Sequence, residues 1–259
     1  MGGEASGPDQ LRAAVRERAE RGADLVKIMA TGGTMTVTTD VTAAQFTTDE
    51  LRVVVDEAHR HGLPVAAHAH ALPAVRACID AGVDDIEHCT CIVPGGVVAP
   101  VDVTSALVAA GTVVCPTLGH RQGMTELPAR VAAMMAKTGV TLEGRRIQVG
   151  ELYRAGVALI SGSDAGINPG KHHGVLPEAV IDLAGVGMPA AEALASATSA
   201  AADACRIGHR TGRLRAGLDA DLVLVDGDPA RDVTAVRNVR MVVAKGRSLR
   251  DDVQAADAG

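Results

Sequence analysis

Four residues able to bind a metal ion stand at or near the ends of short apolar runs. Lys27 lies inside Asp24–Met29 (DLVKIM), His68 inside Pro64–His70 (PVAAHAH), His88 at the end of Val83–His88 (VDDIEH), and Asp164 just after Val157–Ser161 (VALIS). Taken singly, such a lysine is ordinarily a strand-edge residue and such a histidine a structural one. The case rests on four of them recurring at equivalent positions. Neutral imidazoles and carboxylates suit divalent ions such as zinc. In a strand, residues i and i+2 share a face, so His68 and His70 can point into one site. A lysine ammonium has no lone pair to offer, but burial in an apolar strand lowers its pKa and makes the neutral amine reactive. Carbon dioxide would convert it to a carbamate, an anionic group with two oxygens that can bridge metals.

The elements that must hold these residues alternate along the chain. Residues 9–21 have helical apolar spacing, and Gly22 ends that helix before DLVKIM. A Gly-rich loop at 31–33 follows. A helix from Thr48 to His61 stops at Gly62 and precedes PVAAHAH; a helix over 73–81 stops at Gly82 and precedes VDDIEH. The pattern continues with a helix over 101–110, a strand over 112–115, a helical stretch over 128–154 broken near Gly139, and the strand 157–161. Closing helices are expected over 176–185 and 189–204. This repeated order is that of βα units on a parallel sheet, either doubly wound or closed into a barrel. In a barrel, chemistry gathers at the C-terminal ends of the strands. The tail differs: Ala220–Val225 and Val239–Ala244 are β-rich and joined through the turn signal Asp226-Gly227-Asp228-Pro229.

Composition narrows the field. The chain has 259 residues with 47% hydrophobic and 22% charged, which fits a globular protein with a sizeable core. There is no Trp, one Tyr and one Phe, so the core must be built from small aliphatic side chains and a pocket can hardly rely on ring stacking. The net charge of −6 is mixed along the chain, with no basic stripe for nucleic acid. No apolar run is long enough to span a bilayer, and residues 1–10 do not read as a secretory signal. Five cysteines without framework spacing read as reduced thiols in a cytoplasmic protein. Cys89-x-Cys91 lacks a second pair, and Cys89 reads as a space-filling residue. His59 and His61, at a helix end, read as solvated.

Together these strings resemble the amidohydrolase superfamily, in its imidazolonepropionase-like and Xaa-Pro dipeptidase-like branch. The matching motifs are Gly22–Lys27 with the Gly-rich loop, His68-Ala-His70, Ile86-Glu-His88 and Gly162-Ser-Asp164-Ala-Gly166. Ala193–Thr198 and Gly212–Val223 resemble closing segments of that family. The resemblance covers about residues 8–250. It implies a carboxylated Lys27 bridging two divalent metals, His68 and His88 on the second metal, and Asp164 on the first metal and as general base. His70 and His173 match positions near the substrate. It further implies hydrolysis of an amide or peptide-like C–N bond in a small molecule, by hydroxide generated at the metals, with zinc as the default ion.

The match departs from the family at its start. The family's first strand carries an H-x-H pair, yet no histidine precedes Lys27. Aligned in order, DLVKIM is the fourth strand and VALIS the eighth. The expectation is therefore a partial (β/α)8 TIM barrel over residues 1–211, with a small C-terminal β appendage over 212–259. One metal would keep Lys27, His68 and His88, the other only Lys27 and Asp164. Weak or absent activity of the isolated chain follows, unless a partner supplies strands; self-association into a homo-oligomer through the open edges is one route. The alternatives are a catalytically impaired relative of the family and a non-enzymatic α/β binding module.

Overall fold

The computed structural model describes residues 3–36, 38–121, 127–167 and 170–249; residues 250–259 of the expected C-terminal segment lie outside it. The chain divides into two compact units. The first takes the described residues of 1–117 and 125–159, the second those of 118–124 and 160–259.

The first unit is built on parallel strands β1 (Val26–Met29), β2 (Val65–Ala71), β3 (Asp85–Val93) and β5 (Val113–Cys115). Each pairs in parallel with the next in that order, and a parallel bridge joins Val114 to Leu159. Neighbours in space are thus neighbours in sequence, the order of a barrel wall rather than of a doubly wound sheet. The expected fourth to eighth strands are all found, the last reduced to the single bridge at Leu159. Strand β3 runs beyond His88 and turns back in a short antiparallel strand β4 (Gly96–Val97) that was not expected.

Helices α1 (Gly7–Glu20), α2 (Thr48–Arg60), α3 (Leu72–Ala81) and α4 (Val101–Ala110) alternate with the strands, followed by α5 (Ala129–Thr138) and α6 (Leu142–Arg154). Gly82 and Gly111 end α3 and α4 in left-handed conformation, which lets the chain turn directly into the next strand. The break at Gly139 separates α5 from α6, as the sequence predicts. One face of the sheet carries Val26, Ile28, Val65, Ala67, Ala69, Ile86 and Val114, all buried. Leu51, Val75, Leu107, Val149 and Leu152 of the helices are likewise buried. The one tyrosine, Tyr153, lies on α6. Glu57, 3% exposed, is ion-paired with Arg16 of α1 and Arg60 of its own helix. His59 and His61 point to Asp84 and Glu57, consistent with the solvated reading.

The second unit contains α7 (Leu176–Gly185), α8 (Ala190–Ser196) and α9 (Ser199–Ala204), so the expected closing helix is broken at Ala197–Thr198. Beyond them lies an antiparallel sheet of β6 (Leu222–Val225), β7 (Val239–Ala244) and β8 (Arg247–Ser248). The link between β6 and β7 includes a 3-10 turn over Val233–Arg237. Arg237 grips Glu178 of α7 through two bonds of 2.7 Å. No helix among the described residues is long and apolar enough to cross a membrane.

Helix α2 starts in a reciprocal cap. The Glu50 amide donates to Thr47 Oγ1 (3.2 Å) and the Thr47 amide donates to Glu50 Oε2 (2.9 Å). Thr47→Ala should lower stability by about 1 kcal/mol, measured by urea unfolding; an unchanged midpoint would show the cap to be redundant.

Candidate metal centre

Extended β2 places His68 and His70 on one face, both 7% exposed. Strand alternation alone would keep His88 away from them. In the β2–β3 register Glu87 stands opposite His68, and His88 opposite Ala69, a position between the two histidines on the other face. The backbone resolves this by leaving extended geometry. His88 has φ +66°, Cys89 +47° and Cys91 +50°, and the register shifts between Ala69 and Ala71. Such left-handed conformations cost a non-glycine residue about 1–3 kcal/mol each and concentrate at functional sites. The result is a compact cluster. The His88 ring stacks on His70 at 4.5 Å and meets His68 edge-on at 4.5 Å, and His68 meets His70 at 4.6 Å.

The ring nitrogens are oriented by neighbours. His70 Nδ1 shares a hydrogen with Thr90 Oγ1 (2.8 Å) and His88 Nδ1 with Thr117 Oγ1 (2.7 Å), while His68 Nε2 donates to the Gly32 carbonyl (3.0 Å). The His70 amide donates to Thr31 Oγ1 at 3.1 Å, which ties the Gly-rich loop to β2. Gly32 is needed there: a Cβ would stand 2.6 Å from the Asp40 backbone. Burial pushes His70 and His88 well below the usual imidazole pKa, with the neighbouring histidines and Arg145 adding to the effect. Both rings are therefore neutral, the form that binds metals. One ligand atom from each of the three histidines lies within 4.8 Å of the others. Two nitrogens on one tetrahedral zinc stand about 3.3 Å apart, from bonds of about 2.0–2.1 Å. Small ring rotations would close the cluster on an ion, so the donor set fits one.

Below the histidines the same face carries charge. Lys27 Nζ lies 4.0 Å from Glu87 Oε1, with side chains 40% and 29% exposed. The burial expected of Lys27 is thus not found. In β1 it is Val26 and Ile28 that take the buried face, and Lys27 alternates with them. Asp85, two residues before Glu87, has a buried oxygen, Oδ2, with no hydrogen-bond partner. Burial, reinforced by Glu87, raises its pKa to about 7.

Asp164 and His173 belong to the second unit, both exposed on one loop. Asp164 is left-handed at φ +53°. Buried Lys171 closes the loop: its Nζ donates to the Ser163 carbonyl (2.7 Å), and its own carbonyl accepts from the Gly166 amide (2.6 Å). At Gly166 a Cβ would come within 3.1 Å of the His173 ring. Nothing in the local sequence marks Thr90, Thr117 or Arg145, whereas Thr31 opens the Gly-rich loop that the sequence singles out. Glu87 and Asp85 could have been found, since period-two alternation puts both on one face of β3.

The ordinary Asp pKa of 3.8 rises to about 7 for Asp85 on folding. Its burial therefore costs stability progressively as pH climbs through that window, because the unfolded chain releases the proton first. Asp85→Asn should raise the thermal midpoint above pH 7 by several degrees, at about 2–4 °C per kcal/mol. The gain should vanish near pH 4; a gain of equal size at pH 4 would point to packing instead of charge.

Comparison with known proteins agrees with the geometry. The chain is 28% identical over 258 residues to ochratoxinase of Aspergillus niger, covering 95% of this chain and 50% of that protein. It is 32% identical over 129 residues to imidazolonepropionase of a Geobacillus species, covering 45% of this chain and 30% of that one. It superposes on the crystal structure of a Xaa-Pro dipeptidase with bound methionine in the active site, with a TM-score of 0.80 and 31% identity, over 95% of this chain and 59% of that chain. The chain thus spans about half the length of ochratoxinase. The amidohydrolase family model matches residues 1–249, and the chain, with its clustered histidines at the strand ends of a parallel barrel wall, belongs to the amidohydrolase family.

Proposed function

We propose that this chain is a metal-dependent hydrolase that cleaves an amide or peptide-like C–N bond in a small molecule. The observation that carries the reading is the compact cluster of His68, His70 and His88 at strand ends, in which burial keeps the His70 and His88 rings neutral. His68 and His88 hold a divalent ion, zinc by the preference of nitrogen donors. His70, within reach of whatever they hold, faces the substrate. Lys27, as a carbamate formed with carbon dioxide, contributes anionic oxygens; its partial exposure gives carbon dioxide access to the amine. When bound, a divalent ion lowers the pKa of a water and polarises a carbonyl.

Asp164 accepts the proton of the attacking water at its carboxylate and passes it to the departing nitrogen. His173, on the same loop, orients the substrate. The Lys171 contact holds the backbone just before Asp164, which limits the wandering of an otherwise exposed carboxylate. A peptide-like substrate is supported by the Xaa-Pro dipeptidase likeness. Free thiols at Cys78, Cys89, Cys91, Cys115 and Cys205 support a cytoplasmic setting.

Metal analysis of the purified chain, with hydrolysis of a panel of dipeptides and N-acyl amino acids, tests this reading. His88→Asn should lose the equivalent of metal that His68 and His88 hold. Lys27→Ala should lose at least one equivalent where two are bound, and His70→Asn should keep metal while losing turnover. Metal content unaffected by His88→Asn and Lys27→Ala would sink the assignment and leave an α/β binding module.

A further inference from the structure

We infer that Arg145, together with Gln148, is a positioning residue that sets the orientation of the His88 imidazole. The inference rests on the metal-site reading for its functional meaning, and on the geometry of the left-handed segment for its physical basis.

The segment His88–Cys91 leaves the sheet ladder, so its carbonyls must find partners elsewhere. The carbonyls of all three left-handed residues do. Arg145 Nη2 donates to the His88 carbonyl, Gln148 Nε2 to the Cys89 carbonyl (3.1 Å), and the Val98 amide to the Cys91 carbonyl (3.3 Å). Arg145 Nη1 donates to Gln148 Oε1, which couples the two side chains of α6. The same Nη2 also donates to the Pro116 carbonyl at 3.0 Å. The next residue, Thr117, is itself left-handed and bonds the His88 ring at Nδ1. One guanidinium nitrogen therefore fixes both the main chain that carries the ring and the main chain that carries the ring's partner.

Stability alone is a poor explanation for this arginine. Among the described residues no carboxylate pairs with it, and burial pushes its pKa down. A desolvated, unpaired cation costs free energy. It also sits in the first turn of α6, where the helix dipole disfavours positive charge. What the position offers is reach: a planar fork with several donors can hold two carbonyls and an amide at once. A neutral side chain could not span them.

The test uses the full chain. Arg145→Gln and Gln148→Met are compared with the unmodified protein by zinc competition against a chromogenic chelator, by the visible spectrum of the cobalt-loaded protein, and by 15N-histidine ring signals in the metal-free protein. The expected result is zinc binding weaker by about 10–100-fold, an altered cobalt spectrum, and displaced His88 ring signals with those of His59 and His61 unmoved. Arg145→Lys should restore part of the affinity. Unchanged ring signals and unchanged affinity, even with a lowered thermal midpoint, would overturn the inference and make Arg145 a prop for α6. Should the unmodified chain bind no metal, the metal reading falls, while displaced ring signals would still support the positioning role. Gln148→Met, the smaller perturbation, decides the matter if Arg145→Gln does not fold.

Discussion

A strand that alternates strictly cannot bring His88 to the face that holds His68 and His70. Everything distinctive about this molecule follows from how that constraint is met. The chain gives up regular pairing after Ala69 opposite His88, takes three left-handed residues at 88, 89 and 91, and resumes pairing at Ile92. Each reversal is unfavourable for a residue with a Cβ. The compensation is distributed: carbonyl partners come from α6 and from Val98 after the β4 turn, a threonine closes on each of two rings, and Cys89 and Cys91 are completely buried.

Much of this architecture can be read from residue types. The ends of α2, α3 and α4 are marked by Gly62, Gly82 and Gly111, and the strands between them by short apolar runs. The histidines of the candidate cluster are legible too: His68, His70 and His88 stand out in the sequence by their places at strand ends. Orientation is what escaped. Period-two reasoning gives the right face for His68 and His70 and the wrong one for His88, since the left-handed turn occurs at residues that carry no glycine to announce it. Taking Asp24–Met29 as one apolar run makes Lys27 buried. Alternation instead assigns burial to Val26 and Ile28 and leaves the amine partly in water.

The supporting contacts were harder still to foresee. Arg145 stands in a run of polar residues on α6 that reads as a solvated surface, and only the tertiary path of β3 gives it carbonyls to bind. The β4 turn had a local signal in Gly95-Gly96, but its purpose, returning the chain so that the Val98 amide reaches Cys91, depends on the reversal itself. In the second unit the loop from Ser163 to His173 shows the same logic: Asp164 is left-handed, and a buried lysine holds the carbonyl just before it. In both places a cation donates to a main-chain carbonyl at or beside a left-handed residue, Arg145 at His88 and Lys171 at Ser163.

The scarcity of aromatic residues carries one more consequence. With no tryptophan and a single tyrosine, almost all of the chain's near-ultraviolet signal arises from one phenol. That phenol belongs to Tyr153, on the helix whose Arg145 and Gln148 reach the backbone around His88. Nature has placed a lone optical reporter on the element that braces the histidine cluster, so loosening of that brace is observable by tyrosine emission without a label.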